Sequence, residues 1–131
     1  MKTFIVTILL LLTPLVTKAD INVFACEPEW AALARELGGK LVKTNSATNA
    51  LQDPHYIQAR PSLISKVGRA DLIICSGSQL EIGWLPMLLR KANNPSVMPN
   101  TDGFIEASMF VRRLDAASSN KRRKFVLIVR E

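Results

Sequence analysis

The sequence predicts an α/β fold built on a small parallel sheet, and three features carry that prediction. Short apolar segments rich in β-formers recur at residues 21–26, 40–44 and 70–75. Segments of helical periodicity lie between and after them, and three of these have a proline near their start. The link from the first helix to the second strand is only a pair of glycines. A strand, a helix and a strand in close succession form the unit from which parallel sheets are assembled.

The elements follow in order. "INVFAC" is apolar almost throughout and reads as a buried strand. In "EPEWAALARELGG", Pro28 suits a first helical turn, and Glu27 and Glu29 suit the positive end of the helix dipole. Trp30, Leu33, Ala34 and Leu37 fall on one helical face, and Gly38 and Gly39 end the helix. "KLVKT" is the second strand. A polar loop over residues 45–60 follows and holds His55. Pro61 and Ser62 open a helix with Leu63, Ile64 and Val67 inward, and "ADLIIC" is the third strand. "SGSQLE" turns the chain into a helix, "IGWLPMLLRKANNP", bent or begun at Pro86 and ended by Asn93, Asn94 and Pro95. "SVM" reads as a short fourth strand, and "EASMFVRRL" as the opening of one more helix.

The two ends differ in composition from this body. Lys2, an apolar run over residues 4–12 broken only by Thr7, Pro14, and the small pair Thr17 and Ala19 form the pattern of a secretory signal peptide cut after Ala19. The run is too short to cross a bilayer, which takes about 20 residues. No cysteine stands near the cut, which argues against a lipid anchor. The expected product is exported, and periplasmic in a Gram-negative cell. The net charge of +6 suggests nucleic acid, but its distribution excludes that class. Residues 20–115 carry ten basic and ten acidic side chains, whereas residues 116–131 carry five basic and one acidic. The expected organisation is a signal peptide over residues 1–19, an α/β lobe over 20–115 and an aberrant basic tail over 116–131.

Several reaction classes lack their motifs. There is no glycine-rich phosphate loop, no H-E-x-x-H and no G-x-S-x-G. Cys26 and Cys75 end the first and third strands. Export permits a disulfide between them, and a thiol or redox role is the alternative. A second alternative is an interaction module that uses the basic tail. His55 is the one histidine of the chain and sits beyond the carboxyl end of a strand, where open α/β sheets bind ligands. Imidazole is a common zinc ligand, and Asp53, two residues away, suits holding the other ring nitrogen. Spacing alone leaves His55 more readily explained as a solvated loop residue, because a zinc site needs three or four ligands.

Three stretches together resemble the zinc/manganese class (cluster A-I) of periplasmic solute-binding proteins of ABC transporters. They are "INVFACEPEWAALARELGGKLV", "TNALQDPHYIQARPSLISKVGRADLIIC" and "LEIGWLPMLLRKANNPSV". The resemblance implies two lobes joined by a long helix, with metal in the cleft between them. It implies that the Asp-Pro-His loop supplies a ligand, His55, and that Glu81 and Trp84 are structural. It implies capture of Zn²⁺, with Mn²⁺ the alternative, and delivery to an inner-membrane permease, without catalysis. The chain lacks the family's later Gly-Asn-Pro-His motif and has no second histidine. The resemblance therefore leads to the expectation of a truncated N-terminal lobe, frameshifted or stopped after Asp115, with weak or absent metal binding.

Overall fold

The computed structural model describes residues 20–112. The expected signal peptide and basic tail lie outside the described residues. The chain runs β1 (Ile21–Ala25), α1 (Pro28–Gly38), β2 (Val42–Ser46), α2 (Pro61–Gly68), β3 (Leu72–Cys75), α3 (Leu85–Ala92) and β4 (Phe104–Glu106). The four strands form one sheet in the order β2-β1-β3-β4, and every pairing is parallel.

Strand alternation decides what each face does. Phe24 pairs with Ile73, and both are buried with Leu63 and Val67 of α2 and Leu88 and Leu89 of α3. Val23 and Ala25 are buried too, but outside that cluster, because their side chains leave the opposite face of the pleat. α1 packs there, on β1 and β2. Right-handed crossovers require this split: the chain steps one way from β1 to β2 and the other way from β1 to β3 and β4. Each fully buried Leu, Ile or Phe of the cluster contributes roughly 1.5–3 kcal/mol.

The helices begin where their prolines predict, with Pro28, Pro61 and Pro86 in the first turn. Three expectations need correction. β2 starts at Val42, because Gly39–Leu41 form a 3₁₀ turn first. "SVM" is not a strand: Pro95–Val97 is a 3₁₀ turn that buries Val97, and the fourth strand is Phe104–Glu106. "EASMFVRRL" opens no α-helix, since Glu106 ends β4 and Ala107–Phe110 is again a 3₁₀ turn. The apolar stripe of α1 is also only partly used. Ala31 is its buried residue, while Leu33 and Leu37 are exposed, because in so narrow a sheet nothing among the described residues covers that flank.

Asn93 ends α3 in the left-handed conformation, and Asn94 ties the end of α2 to the approach to β3. The Asn94 amide donates to Val67 O at 3.0 Å and Ala70 O at 2.8 Å, while its oxygen accepts from Ser96 N at 3.1 Å. Asn94→Ala removes three hydrogen bonds, two of them to partly buried carbonyls. The expected loss is about 1–3 kcal/mol, read from urea unfolding. An unchanged midpoint would show that water replaces the amide at no cost.

Candidate metal site

The loop after β2 is built by short polar side chains that satisfy their own backbone. Ala47 N continues the strand by donating to Ala25 O, and the buried Thr48 hydroxyl donates to Cys26 O at 3.0 Å. Asn49 then turns the chain, its side-chain oxygen accepting from Leu51 N. Asp53 repeats the device at His55, where Oδ1 accepts from His55 N at 2.9 Å.

The same Asp53 oxygen lies 2.7 Å from His55 Nδ1. An ionised carboxylate only accepts, so Nδ1 carries the proton, and in the neutral ring Nε2 keeps a free lone pair. The backbone N–H of His55, then the ring, hold the Asp53 carboxyl below its ordinary value and keep it an acceptor. His55 and Asp53 both face solvent. Their loop is clamped from behind by the turn before α3. The indole of Trp84, itself buried, donates to Pro54 O at 2.7 Å. Gly83 lies so close that a Cβ there would stand 3.3 Å from His55 O. The expectation that Trp84 is structural thus has a specific content, since it fixes the peptide just before His55.

A second polar cluster sits between β1 and β3, where the direction of the crossovers reverses. Register places Cys26 opposite Cys75, and the two are joined in a disulfide with Cα atoms 4.8 Å apart. No free thiol remains among the described residues. Beside the disulfide, Glu81 accepts Ser76 N at 2.8 Å and Gly77 N at 3.1 Å, which holds the turn after β3. Gly77 has φ +79°, and a side chain there would run into Glu106. Glu27, expected to serve the α1 dipole, makes no cap. Its Oε2 instead accepts from the Ser76 hydroxyl at 2.9 Å. Among the described residues, Cys26, Cys75 and Glu81 form one group of ligand-type atoms within 4.8 Å of one another. His55 does not join it, and the sulfurs are committed to each other.

The part of Glu27 and Ser76 was missed from sequence. The signal available was a buried-type strand running straight into a carboxylate, in "FACE", opposite a second that ends in "IICS".

Comparison with known proteins agrees with this architecture. The family described as "Zinc-uptake complex component A periplasmic" (ZnuA) matches residues 23–122. A metal ABC transporter substrate-binding lipoprotein of Lactococcus lactis subsp. lactis (strain IL1403) is 28% identical over 92 residues, covering 70% of this chain and 29% of its own. A crystal structure of ZnuA superposes with a TM-score of 0.52 at 21% identity, covering 57% of this chain and 28% of that one. A periplasmic metal binding protein from Candidatus Liberibacter asiaticus gives 0.50 at 23% identity, covering 53% and 26%. These two likenesses show the fold. The chain spans under a third of the length of each of these relatives. With the family pattern running over three-quarters of its residues, this chain belongs to the ZnuA family of metal ABC transporter substrate-binding proteins.

Proposed function

We propose that this lobe contributes to periplasmic capture of a divalent metal, zinc first and manganese as the alternative, for delivery to an inner-membrane ABC permease. His55 Nε2 is the ligand atom, and Asp53 aims the ring. The reading is one of binding and not of catalysis. The observation that carries it is the 2.7 Å contact between His55 Nδ1 and Asp53 Oδ1, on a loop held by Trp84 at the carboxyl edge of the sheet. A carboxylate behind the far nitrogen is the usual support of a metal-bound imidazole. Nitrogen ligands favour zinc over manganese.

The donor set fits only in part. His55 supplies one ligand, and zinc sites use three or four. The further ligands must come from residues beyond the described lobe, so the lobe by itself binds weakly. Names of relatives support the cargo class: the matching family is a zinc-uptake component, and the Lactococcus relative is a metal transporter protein. The test is a Zn²⁺ titration of the oxidised chain, followed through the His55 ring resonances. Zinc should shift them; calorimetry should show binding lost in His55→Ala and weakened about 10- to 100-fold in Asp53→Ala. Zinc binding that survives His55→Ala unchanged would refute the assignment.

A further inference from the structure

Two carboxyl groups meet at the β1–β3 junction without a cation. Glu27 and Glu81 are each 3% exposed. Both accept from Ser76 N, Glu81 at 2.8 Å and Glu27 at 3.3 Å, so they crowd one donor. The Ser76 hydroxyl donates to Glu27 and accepts from the Trp30 indole at 2.8 Å. The remaining oxygen of Glu27, Oε1, is buried and has no donor. Among the described residues the ion pairs join Lys43 to Asp20 and His55 to Asp53, and neither reaches this place.

The surroundings add no cationic side chain, only the partial charge at the start of α1, whose N-cap is Glu27. α1 presents the neutral Trp30, and the ends of β1 and β3 present a disulfide that does not titrate. β4 presents a third carboxylate, Glu106, which packs at Gly77 and takes Ser78 N and the Ser108 hydroxyl. Two carboxylates this close and this buried cannot both be ionised at modest cost. Burial above all pushes Glu27 up to about 7, with the Glu81 charge adding to it against the opposing hydrogen bonds of Ser76.

We propose that Glu27 and Glu81 share one proton at neutral pH and form a pH-operated latch between the β1–α1 junction and the turn that clamps the His55 loop. The proton gives the orphaned Glu27 carboxyl a bond to donate, and Glu81 is its acceptor. Glu81 also anchors the clamp, because its carbonyl accepts from Trp84 N at 3.2 Å and Leu85 N at 2.9 Å. Loss of the proton sets two like charges against each other in that turn. An open cleft of about 270 Å³, walled by Glu81, Ile82, Phe104 and Glu106, gives solvent protons a way to the pair from the Glu81 side. The sign follows from the raised value. The stabilisation is full below about pH 4.5 and is lost as pH rises through about 7. None of this depends on His55 being a metal ligand.

The test is a pH titration of the full chain carrying ¹³C at glutamate Cδ and ¹⁵N at tryptophan Nε1. One glutamate should titrate near neutrality, well above the rest. The Trp30 indole should follow with the same midpoint, and the Trp84 indole should move with it. Glu27→Gln supplies an amide N–H where the proton sits, so all three changes should vanish in it. Every glutamate titrating in the ordinary acid range would overturn the shared proton. A neutral-pH carboxyl transition that leaves the Trp84 indole unmoved would overturn the latch. The wild-type titration decides both points even if Glu27→Gln fails to fold.

Discussion

Reduction of the Cys26–Cys75 disulfide is expected to lower the stability of this domain by about 4 kcal/mol. The bond closes a loop with a sequence separation of 49, and chain-entropy arithmetic for a loop of that size gives the figure. In a domain of this size, that is a fall in melting temperature of roughly 15–30 °C. The link joins the two inner strands of the sheet, β1 and β3, at their carboxyl ends, inside the main cluster. Its release therefore frees the middle of the fold and not a margin. The measurement is thermal unfolding with and without a phosphine reductant, beside a Cys26→Ala, Cys75→Ala double variant. The wild type should lose stability with reductant, while the variant should be low in both conditions and indifferent to it. A wild type that melts at one temperature in both would sink the prediction.

Trp84→Ala should cost about 3–5 kcal/mol, the range for emptying a large aromatic site in a core. Trp84 is 2% exposed and packs in the cluster with Leu85 and Leu88. It is also the donor that holds Pro54 O. Trp84→Phe separates the two roles. It keeps most of the apolar volume and removes the indole N–H, a loss of about 0.5–1.5 kcal/mol for one net hydrogen bond. Hydrogen exchange at His55 N and Tyr56 N reads the second role, because Asp53 holds both amides only while the loop keeps its shape. In Trp84→Phe these amides should exchange faster than the strand amides around them. Unchanged protection there, with stability reduced, would confine Trp84 to the core.

The strands and helices were legible wherever the sequence had punctuation. Prolines marked the three helix starts, and the apolar runs of β1 and β3 could only be buried. Legibility failed where local pattern and long-range pairing differ. "SVM" has strand composition, yet Val97 buries from a 3₁₀ turn, and the edge place beside β3 goes to Phe104–Glu106. The stripe on α1 announced burial that so narrow a sheet cannot give Leu33 and Leu37. At the site, His55 and Asp53 were legible because two residues of loop bring them together. The meeting of Glu27 with Ser76 was not, since only the parallel pairing of β1 with β3 makes neighbours of residues 49 apart.

The strand order has a consequence for biogenesis. A nascent chain emerges amino end first. Among the described strands β1 is therefore made first, yet it lies inside the sheet with a neighbour on each side. β2 soon covers one edge, but the other stays bare until Leu72–Cys75 has emerged. During that interval Val23, Phe24 and Ala25 have no complete interior to enter, and Cys26 has no sulfur to bond. A holdase that binds extended apolar segments should engage this stretch of the immature chain and let go once β3 docks.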